Sequence, residues 1–243
     1  MWSFIWHTFF FDPVYNALIF FVGVIPGGDV GLAIVATTVV VKLILLPLSV
    51  KAAKTQVIMR ELEPKLKALK EEHKDDRETQ AREMMTLYRE AGLNPFASVL
   101  LILLQIPIII ALYLSVYSGG GVALPDINLD LLYNWVPAPA VATMLFLGLV
   151  DIAGRSLPLA ALAGISQFFQ AKLAMPAPAP REPGAEPNFK DDFQRSMHAQ
   201  MRFVLPIVIF FVAYTISAAI ALYFVVSNLF GIAQEFYVRR FRI

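Results

Sequence analysis

A single uninterrupted apolar run constrains this chain more than any other feature of its sequence. Residues 31–50 read GLAIVATTVVVKLILLPLSV, which is 20 residues with one charge, Lys42, near the middle. A helix of that length covers about 30 Å, the thickness of the hydrocarbon core of a bilayer. A lysine at that depth costs roughly 2.5–3.5 kcal/mol on insertion scales, so Lys42 indicates a functional site. Thr38 and Ser49 share its helix face and extend a polar stripe around it.

The composition places the chain among helical membrane proteins. Hydrophobic residues make up 58% of the 243 positions, and the mean hydropathy is +0.63. The sequence contains no cysteine, which excludes disulfides, a thiolate nucleophile and a cysteine metal site. Its three histidines fall in segments of different character, and no nucleotide-binding, zinc-protease or serine-hydrolase motif occurs. We therefore expect neither an enzyme nor a metal or cofactor site.

The basic residues are concentrated in three segments, which orient the chain in a membrane. Ten of the 20 Lys and Arg residues lie between Lys51 and Arg89, five lie within 172–202 and three within 239–242. By the positive-inside rule these segments face the cytoplasm. Segment 141–174 could form two short spans broken at 151–155, or an interfacial helix followed by one span. One span keeps the second basic segment on the same side as the first, so we favour it.

The apolar runs and the charge distribution together predict an all-α integral membrane protein with five transmembrane helices. A cytoplasmic antiparallel helical hairpin joins the first two spans. The apolar patch Val14–Ile25 has 12 residues, too few to span, which predicts an N-terminal interfacial helix. The N-terminus lies outside and the C-terminus in the cytoplasm. The predicted segments are an external or interfacial helix 1–29, first span 30–50, hairpin 51–93, second span 94–118, external loop with an interfacial helix 119–156, third span 157–174, cytoplasmic loop 175–201, fourth span 202–216, fifth span 219–238 and cytoplasmic tail 239–243.

Polar side chains recur at membrane depth in the other predicted spans. Gln105 lies in the second span, Gln167 and Gln170 in the third, and Ser227 and Asn228 in the fifth. One interpretation is that they bond neighbouring helices and help them pack. The other is that the polar stripes converge on a cavity around Lys42. A buried ammonium needs hydration, loss of its proton or negative charge from a passing molecule, and the second interpretation provides for this.

Several long stretches resemble the YidC membrane-protein insertase family, which includes mitochondrial and thylakoid relatives. The G-x-N-P, Q-x-P-I…A-L-Y and A-L-Y…V-S-N-L patterns occur in the family's order and make the resemblance specific. The matching stretches are VVVKLILLPLSVKAAKTQ (39–56), MMTLYREAGLNPFASVLLILLQIPIIIALY (84–113), ISQFFQAKL (165–173) and MRFVLPIVIFFVAYTISAAIALYFVVSNLFGIAQEFYV (201–238).

The resemblance implies a bacterial inner-membrane protein that inserts and helps to fold nascent membrane proteins without nucleotide hydrolysis. The family's hydrophilic groove opens to the cytoplasm and to lipid, and it carries one basic residue, usually arginine, where this chain has Lys42. Implied partners are substrates with short acidic external segments and the lipid bilayer, with the Sec translocon and the ribosome as further candidates; no nucleic-acid specificity is implied. The implied groove residues are Lys42, Thr38, Ser49, Gln105, Gln167, Gln170, Phe224, Ser227 and Asn228. The implied substrate-capture residues of the hairpin are Lys65, Leu66, Leu69, Lys74, Arg77, Met84 and Tyr88.

Two alternative functions come from different classes. Lys42 could serve as the counter-charge of a small-anion transporter, or the chain could be a structural subunit that packs with other membrane proteins. The sequence shows no inverted repeat and no paired broken helices, the features typical of transporters. The insertase is therefore the first hypothesis.

Overall fold

The chain divides into two compact units. The computed structural model describes residues 2–74, 76–92, 96–174 and 195–241. The first unit consists of Met1–Lys42 and Pro107–Phe236, and the second of Leu43–Ile106 and Tyr237–Ile243. Most of the predicted loop 175–201, the first two residues of the predicted second span (94 and 95) and the last two residues of the tail lie outside the described residues.

Helices account for nearly all of the regular structure. In chain order the elements are α1 (Trp2–Trp6), a π-helical turn (His7–Phe11), α2 (Asp12–Val24), a 3₁₀ turn (Pro26–Gly28), α3 (Val30–Glu61), α4 (Glu63–Glu72), α5 (Arg77–Glu90), α6 (Phe96–Tyr117), a 3₁₀ turn (Leu129–Leu131), β1 (Leu145–Phe146), β2 (Val150–Asp151), α7 (Leu157–Ala174), a π-helical turn (Gln200–Val204), α8 (Leu205–Ile216) and α9 (Ala218–Phe241).

The N-terminal helix is longer than predicted, so the length argument for an interfacial position is wrong. Its 22-residue segment Ser3–Val24 is long and apolar enough to cross a membrane. It runs through Asp12-Pro13 without a break because a π-helical turn precedes the proline, and the Asp12 N–H donates to the carbonyl of His7. We infer that the wider π turn accommodates a ring that would otherwise interrupt an α-helix.

Helix α2 forms the centre of the first unit's core. Its side chains Tyr15, Leu18, Ile19 and Val22 are almost completely buried. They stand at i, i+3, i+4 and i+7, the spacing that puts four residues on one face of an α-helix. In a helix that is apolar enough to cross the membrane, close van der Waals packing of this face, more than its removal from water, stabilises the unit.

Helix α3 does not end where the first predicted span ends. It continues through Lys51 to Glu61, for 32 residues, with Pro47 in its interior. A change from apolar to charged residues alters what surrounds a helix, but Lys, Glu and Ala all favour helix and give no stop signal. Helix α4 then begins at Glu63 with Pro64 in its first turn, where a missing N–H costs nothing.

Hydrogen bonds gather several helix ends at one end of the first unit. The Ala218 N–H donates to the carbonyl of Gly154 over 2.8 Å, which ties the α8–α9 junction to the segment just before α7. The Tyr117 hydroxyl, at the end of α6, donates to the carbonyl of Ala153 over 2.6 Å. The end of α6, the start of α7 and the α8–α9 junction therefore meet at the same level.

The interfacial helix predicted within 119–156 is wrong, because this segment contains a β-hairpin. Strands β1 and β2 pair antiparallel, with Leu145 opposite Asp151, and the turn passes through Leu147 and Gly148. Phe146 lies opposite Val150, so the loop has three residues, 147–149, of which Leu147 and Gly148 have positive φ, 52° and 70°. Because the segment is strand and turn, two short helical spans within 141–174 are excluded as well.

Four helical segments of the described chain are long and apolar enough to cross a membrane. They are Ser3–Val24, Val30–Thr55, Arg195–Ile216 and Ala218–Val238. A shorter apolar stretch, Leu103–Tyr117, lies in α6. Helix α7 has the bounds predicted for the third span, 157–174, but is not among the four. A multi-spanning helical protein is confirmed, whereas the layout of five spans stays a prediction.

Candidate functional site

Lys42 lies deep in the membrane-crossing part of α3. It is 12 residues beyond Val30, about 18 Å along a helix axis and near the middle of a bilayer core. Its side chain is partly buried in the protein. If this helix crosses the membrane, the Lys42 ammonium lies at a depth where charge is expensive.

The hydroxyls predicted to accompany Lys42 bond to their own helix. Thr38 is buried, and its Oγ1 donates to the carbonyl of Ile34 over 2.7 Å. Ser49, in the second unit, donates to the carbonyl of Leu46 over 2.9 Å. Such bonds satisfy a hydroxyl within an apolar environment without a neighbouring helix. Of the two, Ser49 is the more accessible, being only partly buried.

A polar cluster joins α7 to α9 in the first unit. Asn228 is buried, and its Nδ2 donates to Ser166 Oγ over 3.1 Å and to the Ala163 carbonyl over 3.4 Å. One turn further along α9, a Cβ on Gly231 would lie 3.3 Å from the Gln170 side chain, so these helices approach closely there. Interhelical amide and hydroxyl bonds beside small residues are typical of membrane helix packing.

The remaining predicted groove residues of the first unit continue this cluster. Phe224, partly buried, lies one turn before Asn228 on the same face of α9, whereas the partly buried Ser227 is its immediate neighbour and lies on an adjoining face. On α7, Gln167 Nε2 donates to Gln170 Oε1 over 3.4 Å, and both side chains are partly buried. The structure therefore brings Gln167, Gln170 and Asn228 together at the α7–α9 contact. The prediction that they surround Lys42 stays a prediction.

Sequence reasoning missed two polar residues of the first unit. Ser166 is buried and accepts the Asn228 amide, and the spacing of Ala163 and Ser166 as small residues on one helix face could have indicated it. Thr37 is buried, and its Oγ1 has no hydrogen-bond partner among the described residues. No local sequence pattern distinguishes Thr37 from Thr38. Only the three-dimensional structure shows which of the two adjacent hydroxyls donates to a carbonyl of its own helix.

The predicted hairpin residues lie in the second unit, as does the partly buried Gln105. Leu66 is buried and Leu69 partly buried. A turn joins α4 to α5, and His73 Nε2 lies 2.9 Å from Glu83 Oε2 across it. The exposed capture residues are Lys65, Lys74 and Arg77, and the partly buried ones on α5 are Met84 and Tyr88.

The N-terminal end of α5 is capped by Asp76. Its Oδ1 accepts the backbone N–H groups of Glu78 and Thr79, at 3.1 and 3.0 Å, and its Oδ2 accepts the Thr79 hydroxyl at 2.6 Å. The hydrogen bonds from Thr79, the largest cause, lower the pKa of the Asp76 carboxyl. Within the described residues no group of three or more His, Asp or Glu side chains could hold a metal ion.

Comparison with known proteins decides the family. A family model described as 60Kd inner membrane protein matches residues 21–243. The chain belongs to this 60Kd inner membrane protein family. It is 32% identical over 242 residues to membrane protein insertase YidC 2 of Bacillus anthracis, a match that covers 97% of this chain and 81% of that protein. The resemblance to the YidC family is thereby confirmed.

Other members of the 60Kd inner membrane protein family are longer than this chain. Membrane protein insertase YidC of Francisella tularensis subsp. novicida is 33% identical over 213 residues, which are 88% of this chain and 33% of that protein. The same values apply to the protein of that name from Francisella tularensis subsp. tularensis. This chain thus spans about a third of the Francisella relatives. Family membership and the four apolar helices agree on a multi-pass protein of the bacterial inner membrane.

Proposed function

We propose that this chain is a membrane-protein insertase that works through a hydrophilic intramembrane groove centred on Lys42, without nucleotide hydrolysis. The observation that carries the proposal is a charged side chain about 18 Å inside an apolar membrane-crossing helix, in a chain whose relatives are named insertases. A structural subunit would have no need of a charge at that depth, because uncharged amides suffice for helix packing.

In this proposal the groove wall of the first unit consists of Lys42 and the α7–α9 face. Gln167, Gln170 and Ser227 are partly buried, so their polar atoms can exchange partners with water or with a passing segment. Asn228 is bonded to Ser166 and holds the two helices together behind that face. Ser49 and Gln105 are proposed to contact substrate from the second unit.

The energetics favour substrates with short acidic external segments. On insertion scales an apolar segment of 20 residues gains on the order of 6–12 kcal/mol, whereas one Asp at the bilayer centre costs about 2.5–3.5 kcal/mol. One or two acidic residues therefore leave a net driving force, and attraction to Lys42 lowers the barrier that they meet on the way. Hydrophobic transfer of the substrate helix into lipid then completes the step without a nucleotide.

The remaining parts of the proposal concern orientation and partners. The basic segments between Lys51 and Arg89 and within 239–242 face the cytoplasm, so the C-terminus is cytoplasmic and the hairpin of α4 and α5 meets the substrate first. The N-terminus is proposed to lie outside, which requires that Ser3–Val24 lies along the outer surface and does not itself cross the membrane. The Sec translocon and the ribosome are proposed as partners in this sequence of events.

Reconstitution tests the function directly. Vesicles containing only this chain should insert a single-span substrate with a short acidic external segment, measured as protease protection of that segment. Empty vesicles give the background. An anion flux in chain-containing vesicles with insertion at background would overturn the insertase and favour the transporter, and background values in both assays would favour a structural subunit.

A further inference from the structure

The β-hairpin of the first unit presents a row of leucines that nothing in the proposed groove uses. Leu145, Leu147 and Leu149 are 47%, 59% and 83% exposed. Phe146, between the first two, points the other way, because a Cβ on Gly31 would lie 2.5 Å from its ring. One side of the hairpin thus packs on the first turn of α3, and its tip carries three outward leucines.

The hairpin tip is held at the level where α3 begins. Asp29 Oδ1 accepts the N–H of Leu32 over 2.9 Å and so caps α3, while Asp29 Oδ2 accepts the N–H of Leu147 over 2.7 Å. One carboxylate therefore links the tip to the start of a helix that is apolar enough to cross the membrane. The tip cannot lie far from the membrane surface at that end of α3.

The conformation of Leu147 is unusual for its residue type. Its φ of 52° belongs to the left-handed region, which glycine and asparagine occupy readily and leucine rarely does. The turn therefore has a bulky apolar side chain at a position where sequence preference would put a small or polar one. An outlier of this kind, held by a carboxylate, points to a use for the side chain.

The surroundings of the tip have the composition of a membrane interface. The sequence contains no Asp, Glu, Lys or Arg from residue 131 to residue 150. Within that stretch Trp135 is 66% exposed, and its ring lies 6.2 Å from that of Phe20 on α2. Exposed Trp beside apolar residues is enriched at the boundary between lipid and water. Of the two flanking charges, Asp151 lies opposite Leu145 at the base of the hairpin, one residue pair further from the tip than Phe146 and Val150.

We propose that Leu145, Leu147 and Leu149 insert into the lipid leaflet at the Asp29 end of α3 and hold the hairpin there as a shallow membrane anchor. The occupant of this surface is lipid, because Asp29 bonds the tip to the start of a helix that is apolar enough to cross the membrane, and residues 131–150 of the sequence carry no charge. The anchor does not depend on the proposed insertase activity, since it rests only on the hairpin and on the span that begins beside it.

A fluorescent probe at the tip tests this anchor. Because the chain contains no cysteine, Leu149→Cys gives a single labelling site for the environment-sensitive dye NBD. In nanodiscs of phosphatidylethanolamine and phosphatidylglycerol, both membrane faces are open to aqueous iodide. We expect blue-shifted emission at 149, quenching by spin labels near the headgroup, and a several-fold lower iodide quenching constant than for the control Asp126→Cys, an exposed residue of the same connection.

Two further variants distinguish insertion of the leucines from insertion of the dye alone. Leu145→Ser together with Leu147→Ser should restore iodide access to the dye at 149; continued protection would mean that the dye inserts by itself. Asp29→Asn keeps an N-cap of similar strength but cannot serve as the same double acceptor, so it should also raise iodide access. Equal iodide access at 149 and 126, or protection that disappears on dilution of the protein in lipid, would overturn the proposal, the latter in favour of a second copy.

Discussion

At the residue scale, adjacent threonines of α3 differ in how their hydroxyls are satisfied. Thr38 donates to a carbonyl of its own helix, whereas the buried Thr37 Oγ1 has no partner among the described residues. A buried polar group without a partner costs about 1–3 kcal/mol. A hydroxyl kept at that cost is a candidate for contact with water or substrate in the groove.

Replacing Thr37 by valine should therefore stabilise the protein. Thr37→Val keeps the shape of the side chain and removes the unsatisfied hydroxyl, so we expect a gain of about 1 kcal/mol. Thr38→Val is the matched control and should give no gain, since its hydroxyl is already bonded. Thermal unfolding in detergent measures both. A loss of stability in Thr37→Val would show that the hydroxyl has a partner after all.

The Asn228–Ser166 bond offers a second prediction at this scale. Each of Asn228→Leu and Ser166→Ala should destabilise the α7–α9 contact. We expect a coupling free energy between the two substitutions of about 0.6 kcal/mol, the average for interhelical hydrogen bonds in membranes, whose maximum is about 1.7 kcal/mol. A double-mutant cycle by thermal unfolding measures the coupling. Additive effects would mean that the 3.1 Å bond contributes no stability of its own.

At the scale of elements, the start of α5 should depend on pH through its cap. The pKa of Asp76 in the folded chain is lowered by its hydrogen bonds with Thr79. The stability that the ionised Asp76 cap gives to the start of α5 is therefore complete above the ordinary carboxyl pKa. It is lost as the pH falls through the lower pKa of the folded state. Asp76→Asn keeps a cap that does not titrate, and Asp76→Ala removes it.

Hydrogen exchange of the first α5 amides measures this prediction. At neutral pH, protection should be similar in the wild type and Asp76→Asn and lower in Asp76→Ala. As the pH falls below the ordinary carboxyl pKa and through the lower folded-state value, protection factors should fall in the wild type and stay unchanged in Asp76→Asn. Equal acid sensitivity in all three would show that the cap does not control this turn.

The helical hairpin should matter for substrate capture and not for the fold of the first unit. Deletion of residues 65–88 should reduce insertion in vesicles several-fold. It should leave the thermal unfolding temperature of the first unit unchanged, because the deleted residues belong to the second unit. A control with Lys65, Lys74 and Arg77 replaced by glutamine tests the exposed charges alone. Failure of the deleted chain to accumulate as a folded protein would show that the hairpin is structural.

At the scale of the whole molecule, apolar runs and family resemblance predicted most of the helices. The bounds of α7 and the break at Ser217 were readable because proline, serine and small residues flank long apolar stretches. Two boundaries were wrong for a common reason: Asp12-Pro13 and Lys51 look like helix ends in sequence. Membrane helices continue through such points when a π turn or a favourable helix propensity permits it.

The β-hairpin and the α7–α9 cluster were harder to predict because tertiary contacts determine them. Its own sequence makes the apolar segment before Asp151 compatible with a helix. The hairpin depends on a long-range contact, because Asp29, more than a hundred residues earlier, accepts the Leu147 N–H. Likewise, Asn228 and Gln170 were recognised as polar residues at membrane depth, but only the packing shows which one faces Ser166 and which one faces Gly231.

The charge at Lys42 is the central claim, and one measurement tests it most directly. Vesicles with the wild type, Lys42→Arg, Lys42→Glu or the control Lys51→Glu, an exposed position of the same helix, are assayed for insertion of an acid-tailed single-span substrate. Two unit charges 4 Å apart interact by about 4 kcal/mol near a protein surface, so turning attraction into repulsion should slow insertion on the order of 100-fold or more.

We predict that Lys42→Glu falls to the level of empty vesicles, that Lys42→Arg and Lys51→Glu stay active, and that a lysine-tailed substrate restores insertion by Lys42→Glu. Insertion of the acid-tailed substrate by Lys42→Glu at the wild-type rate would contradict the account.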